Sequence, residues 1–108
     1  MRYMIRSLLV VMLGACLCAP VGLAQSSGAA IFKANCQVCH GPSGIPNPTM
    51  ARLLGVPAVT SSQMKKLTLQ EMVSTVTNGK GKMPAWKGKL TDAQINAVVA
   101  YLRTLTKK

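Results

Sequence analysis

Acidic, aromatic and histidine side chains are all scarce in this sequence. Its 108 residues include 2 Asp and Glu against 13 Lys and Arg, with one His, one Trp, two Tyr and one Phe. Because so few carboxylates cancel the basic groups, the net charge is +11, and the positive potential speeds encounter with acidic partners. The charge does not indicate nucleic-acid binding, because no helix-turn-helix, zinc finger or aromatic stacking platform accompanies it.

The first 24 residues have the layout of a secretory signal peptide. Arg2 and Arg6 precede an uncharged apolar run over residues 8–19, and small residues lead up to Ala24. We therefore expect cleavage after Ala24, which leaves one mature domain over residues 25–108.

Two other interpretations of this start remain open. Cys16 follows Leu-Gly-Ala, as in a bacterial lipoprotein signal, and would then be the acylated first residue. Alternatively, residues 7–24 are about long enough to stay in a bilayer as an anchor. All three interpretations deliver the rest of the chain to the periplasm or another extracytoplasmic space.

The 84 residues after the signal have little apolar bulk for a core. Their aromatic residues are Phe32, Trp86 and Tyr101, and their only cysteines are Cys36 and Cys39. A disulfide between cysteines so close in sequence would close a very short loop and stabilise the fold little. A domain of this size therefore needs apolar material from outside, such as a large cofactor.

Helix signals recur along the chain, and no segment shows the alternation of a strand. Ser27, Thr68 and Thr91 stand at cap positions, and the two threonines open capping boxes. The predicted helices span residues 28–36, 69–78 and 92–105. Four prolines lie between residues 41 and 66, which predicts a loop there with one helical turn at 50–54. The pattern indicates an all-α domain.

The stretch from Cys36 to His40 has the spacing C-x-x-C-H, which is the attachment pattern for c-type haem. Two thiols at this spacing reach two vinyl groups on one edge of the porphyrin, and the imidazole of the next residue becomes a ligand of the iron. Haem is large and apolar, so it also supplies the missing core. The sequence therefore predicts one covalent haem c, held by Cys36 and Cys39, with His40 as an axial iron ligand.

Other sites for the same three residues fit less well. A thioredoxin-like dithiol begins a helix after a buried strand, whereas these cysteines end a helix in a chain without strand signals. A structural zinc ion needs four ligands, and the mature chain offers three good ones. A plain disulfide would leave the histidine and the missing core unexplained.

The second axial ligand is expected to be a methionine, because the chain has no second histidine. Met72 belongs to an apolar helix face and is expected to pack in the core, whereas Met50 and Met64 lie in predicted loops and stay open as candidates. Met83 is preferred, since Pro84 pushes it out of helical conformation and nearby glycines allow a close approach to the ring. A thioether ligand favours electron transfer over substrate chemistry.

With these motifs in place, the sequence resembles the class I cytochromes c, in particular their small single-haem members from bacteria and photosynthetic electron transport. Three segments carry the resemblance: residues 28–41 with Gly28, Phe32 and the attachment motif, the loop 78–86, and residues 90–102. Together they cover essentially the whole mature chain. The resemblance implies three main helices wrapped around one haem c, without a sheet.

The resemblance also implies particular contacts. The first and last helices should cross at Gly28, with Phe32 and Tyr101 packed at the crossing. A backbone carbonyl of Pro46 or Pro48 should accept the proton of the axial imidazole and so orient the ring.

We expect a small soluble electron carrier that is not an enzyme. Its partners would be acidic redox proteins, such as membrane-bound oxidase or reductase complexes, with membrane association only if the N-terminal segment is retained or lipidated. Lysines flanking the predicted haem edge would steer this docking; they are Lys65, Lys66, Lys80, Lys82, Lys87 and Lys89. The alternatives are a tethered electron-entry subunit of a dehydrogenase or oxidase, and a peroxidase or gas-binding haem with an open sixth position.

Overall fold

The structure is a computed structural model that describes residues 27–108. The helices in this range are α1 (Gly28–Asn35), α2 (Gln37–His40), α3 (Pro48–Leu54), α4 (Ser62–Lys66), α5 (Leu69–Asn78) and α6 (Asp92–Thr106). Among the described residues, β-type backbone pairing is limited to two isolated bridges, so residues 27–108 form no sheet. The predicted all-α fold is confirmed, with α1, α5 and α6 as its three main helices. The predicted signal peptide lies outside the described residues.

Local side-chain caps place the ends of the main helices where the sequence predicts them. Thr68 accepts from the amide of Glu71, whose carboxylate in turn accepts from the amide of Thr68 at 2.7 Å. Thr91 and Gln94 form the same reciprocal pair at the start of α6. These capping boxes satisfy amides that have no partner inside the helix, so α5 and α6 begin at the predicted residues.

The proline-rich region, residues 41–66, contains more helix than the sequence predicts. Asn47 caps α3 through its side-chain oxygen, and Pro48 lies in the first helical turn, where a missing N–H costs nothing. Ser61 caps α4 in the same way. The predicted helical turn at 50–54 is present within α3, but the helix begins two residues earlier, because proline is tolerated in a first turn. The prediction of loop over residues 62–66 is wrong, because α4 lies there.

The first and last helices cross in close contact, as the family resemblance implies. A Cβ atom on Gly28 would overlap the carbonyl of Ala97 and would lie 2.9 Å from Cβ of Tyr101. Beside this contact, the rings of Phe32 and Tyr101 lie 5.5 Å apart between centroids with an interplanar angle of 59°. The absence of a side chain at Gly28 allows the two helices to approach.

The core consists of two apolar clusters that share α6. One contains Ile31, Phe32, Val59, Val98 and Leu105, and the other contains Met72, Val76, Ile95 and Val99. Because alternate sides of α6 serve both clusters, this helix holds α1 and α5 in one unit. No helix within residues 27–108 combines the length and apolar character that crossing a bilayer requires.

Candidate haem-binding site

A cavity of about 580 Å³ lies between the two apolar clusters and the loops around them. Its walls are mostly apolar and come from every helix, and they include Phe32, Leu54, Val56, Leu67, Met72, Val76, Trp86, Val98, Val99 and Leu102. Several of these residues are also core residues. The cavity is therefore continuous with the core, as expected of a space that a large apolar group fills.

The attachment motif forms one tight turn on the cavity wall. The amide of Cys36 donates to the carbonyl of Phe32 at 2.8 Å, and the amides of Cys39 and His40 both donate to the carbonyl of Cys36, at 3.2 and 3.0 Å. These bonds fold the motif back on itself. Cys36, Cys39 and His40 consequently all line the same cavity, and both cysteines are free thiols.

Partial burial changes the acid–base properties of the motif. It raises the pKa of the Cys36 thiol, with a smaller contribution from the nearby Cys39. Burial lowers the pKa of His40, because the charged imidazolium loses solvation. Burial thus favours the neutral form of the ring, which has a free nitrogen lone pair and is the form that binds metals.

The loop that carries Met83 is held by backbone contacts. The amides of Lys80 and Met83 each donate to the other residue's carbonyl, at 3.1 and 3.0 Å. Gly79 has a φ of +77°, and a Cβ there would lie 2.7 Å from the Met83 carbonyl oxygen. Further along, the amide of Trp86 donates to the carbonyl of Val76 in α5 at 3.0 Å. The loop is therefore fixed against the end of α5, with Met83 on the cavity wall.

The structure separates the other methionines into two groups. Met64 and Met72 line the cavity together with Met83, whereas Met50 does not. Met72 is only 2% exposed and belongs to the α5–α6 cluster, so the prediction that it packs in the core is confirmed. Met64 lies on the short helix α4, which the sequence analysis missed, although Ser61 is a recognisable cap.

The expected hydrogen bond of the axial imidazole is not formed within the described residues. The side-chain hydrogen bonds that join distant segments within residues 27–108 start from Lys82 and Arg103, and none starts from the His40 ring. That the carbonyl of Pro46 or Pro48 orients the ring therefore stays a prediction.

The donor set of the cavity fits a covalently bound haem better than a bare metal ion. Residues 27–108 contain no group of three or more His, Cys, Asp and Glu side chains arranged to hold a metal. What they bring together is two free thiols, one neutral imidazole and a thioether on apolar walls. Two thiols for thioether bonds, two axial donors and an apolar enclosure are what haem c requires.

Two lysine contacts near the cavity could not be predicted from the sequence. Trp86 packs against the α5–α6 cluster, and Lys89 Nζ lies 5.4 Å from the centre of its ring, in a cation–π contact. Lys82 Nζ donates to the carbonyl of Leu53 at 2.7 Å. No sequence signal links residues 53 and 82, because they meet only when the loop closes on α3.

Comparison with known proteins supports haem c as the cofactor. The family model described as "Cytochrome C oxidase, cbb3-type, subunit III" matches residues 24–102. Cytochrome c6 of Leptolyngbya boryana is 43% identical over 77 residues, which are 71% of this chain and 87% of that protein. The cbb3-type cytochrome c oxidase subunit FixP of Bradyrhizobium sp. (strain ORS 278) is 36% identical over 78% of this chain but only 28% of FixP.

A solved structure shares the fold. The KustC0563 c-type cytochrome superposes with a TM-score of 0.67 at 23% identity, over 74% of this chain and 98% of its own. Sequence relatives, fold and cavity thus agree on one kind of protein. The chain belongs to the class I cytochromes c, and it carries electrons on a covalently bound haem c.

Proposed function

We propose that the mature protein shuttles single electrons between larger redox complexes outside the cytoplasmic membrane, with Cys36 and Cys39 bonded to the haem and His40 and Met83 as the axial ligands. The observation that carries this proposal is that all four side chains line the same cavity of about 580 Å³. Covalent attachment needs reduced thiols outside the cytoplasm, which agrees with the signal-like start of the chain.

Each side chain has a distinct part in this function. The bound haem supplies an iron centre that gains and loses one electron. Cys36 and Cys39 fix its position through a turn that is hydrogen-bonded to itself. The imidazole of His40 and the thioether of Met83 would bind the iron, which would leave it no open position for a substrate. The apolar walls exclude water, which limits the reorganisation that accompanies each change of charge.

Met83 is preferred over Met64 because of how its loop is held. Gly79 and Pro84 flank a tight backbone pair between Lys80 and Met83, which leaves the thioether directed by a rigid turn. Met83-Pro84 also belongs to the motif through which the sequence resembles class I cytochromes c. Met64 is therefore the matched control for the test.

Visible spectra of the matured protein test the assignment. We expect the Met83→Ala variant to lose the weak methionine-to-ferric-iron charge-transfer band, to bind carbon monoxide when reduced and to have a lower reduction potential. The Met64→Ala variant should keep the band and remain closed to carbon monoxide. A band that survives in Met83→Ala and disappears in Met64→Ala would reverse the assignment.

Acidic redox proteins are the proposed partners. Residues 27–108 carry 11 basic side chains against Glu71 and Asp92, and Lys80 and Lys82 lie on the cavity wall itself. Lys65 and Lys66 end the short helix α4, whose Gln63 and Met64 also line the cavity. Positive charge therefore lies beside the cavity that is proposed to hold the haem. This supports steering of the protein toward an acidic docking surface on its partner.

A tethered subunit is the second candidate function. The similarity to FixP supports it, because the match covers only 28% of that oxidase subunit and so corresponds to one part of a larger protein. Co-purification of the protein with a membrane-bound oxidase or dehydrogenase would favour this candidate. Recovery in the soluble extracytoplasmic fraction, free of such a complex, would favour the mobile carrier.

A further inference from the structure

Two side-chain hydrogen bonds join distant segments within residues 27–108, and both run from a cation to a backbone carbonyl. Lys82 Nζ donates to the carbonyl of Leu53 at 2.7 Å, and Arg103 Nη2 donates to the carbonyl of Leu67. These carbonyls lie at the C-terminal ends of α3 and α4. Carbonyls there lack intrahelical partners and carry partial negative charge, so cations are favourable partners for them.

Both bonds hold one segment, residues 48–67, which we call the strap. Neither α3 nor α4 contributes a buried residue. Val59, between them, is 1% exposed, and its amide donates to the carbonyl of Gly44 at 2.9 Å. The main helix packing in the described part of the chain joins α1 with α6, α5 with α6 and α1 with α2. The strap is thus anchored in its middle, and Lys82 and Arg103 bind the C-terminal ends of its two helices.

The Lys82 bond connects two parts of the cavity wall. Leu54 and Gly55 line the cavity from the strap, and Lys82 and Met83 line it from the loop. The accepting carbonyl belongs to Leu53, directly before Leu54. A shift of the loop away from the strap would therefore have to break this bond, and such a shift would carry the neighbouring Met83 with it.

We propose that Lys82 is a positioning residue that holds the loop against the strap and thereby keeps Met83 in place as the axial ligand. The inference rests on the proposed function, because Lys82 acts through Met83 and does not itself contact the iron. Loss of the bond would leave Met83 able to bind while making its transient release more frequent. The protein would then admit small external ligands to the sixth position more readily.

The test measures the rate at which imidazole binds to the oxidised, haem-loaded protein. Lys82→Gln removes the charge and the reach of the side chain, and we expect the binding rate to rise about fivefold, as loss of one hydrogen bond predicts. The Lys82→Arg variant keeps a cationic donor, so its rate of imidazole binding should be close to that of the wild type. Lys87→Gln is the matched control, because it removes the same charge from the same loop at a residue that does not line the cavity.

The outcomes separate this inference from the proposed function. Equal rates for Lys82→Gln and Lys87→Gln, in a protein whose Met83→Ala variant has lost the charge-transfer band, would overturn the inference and leave Met83 as the ligand. Persistence of the band in Met83→Ala would overturn both. A rate that rises only in Lys82→Gln, with the band retained in that variant at rest, is the result expected.

Discussion

Gly28 lies against the carbonyl of Ala97, with no room between the two helices for a side chain. The contact joins the start of α1, which leads into the haem-attachment turn, to the middle of α6, which backs the cavity. A residue with no chemistry of its own thus sets the distance between the attachment motif and the helix that lines the cavity.

The Gly28→Ala variant is expected to be less stable than the wild type by roughly 1 to 3 kcal/mol, because the added methyl group forces α1 and α6 apart. Helix propensity alone predicts a gain in stability of up to about 1 kcal/mol for the same change. The sign of the change in stability therefore shows whether the steric clash or the gain in helix propensity dominates. Denaturant unfolding of the haem-loaded protein measures it, and unchanged or increased stability would show that the crossing can adjust.

Replacement of the two cysteines should change haem attachment in steps. With Cys36→Ser or Cys39→Ser we expect a single thioether bond, whereas the double variant should bind haem only reversibly. Electrophoresis under denaturing conditions with haem staining separates the cases, because only covalently bound haem migrates with the polypeptide. Stained protein from the double variant would show that another residue forms a covalent bond.

Electron transfer with an acidic redox protein should slow as ionic strength rises, since salt screens the attraction between the proteins. The double variant Lys65→Gln with Lys66→Gln should lower the bimolecular rate at low salt by about two- to tenfold. Lys107→Gln with Lys108→Gln removes the same charge after the last turn of α6 and is the matched control. If both double variants lower the bimolecular rate equally, then the net charge of the protein controls the rate and the position of the lysines does not.

Acid should weaken the capping box of α5 and leave the capping box of α6 intact. The carboxylate of Glu71 accepts from the amide of Thr68, and this bond lowers the pKa of Glu71 below its ordinary value. The bond therefore adds stability above the ordinary pKa, and this contribution disappears as the pH falls through the lower folded-state pKa. The corresponding residue of α6 is Gln94, which does not titrate.

The variant Glu71→Gln should remove this acid-sensitive contribution. Thermal unfolding between about pH 6 and about pH 3 would then show a smaller loss of stability than the wild type shows. If stability falls equally with pH in the variant and in the wild type, then the capping box makes no pH-dependent contribution to stability.

Much of the fold was predictable because the responsible interactions are local. Thr68 with Glu71, and Thr91 with Gln94, form capping boxes three residues apart, so α5 and α6 begin at the predicted positions. Helix α4 was missed because its cap, Ser61, stands in a region whose prolines suggested a loop. Proline at the first turn of α3 begins that helix instead of ending it.

The sequence by itself determined the motif on which the proposed haem attachment rests, because Cys36, Cys39 and His40 lie within one turn of backbone and their spacing fixes their relative positions. It also predicted that the second iron ligand is a methionine, because the chain has one histidine. Only the tertiary structure decided that Met64 and Met83 line the cavity while Met50 does not, and that Lys82 reaches Leu53. These relations join residues far apart in the chain, and their distances depend on how the helices pack, which no local pattern encodes.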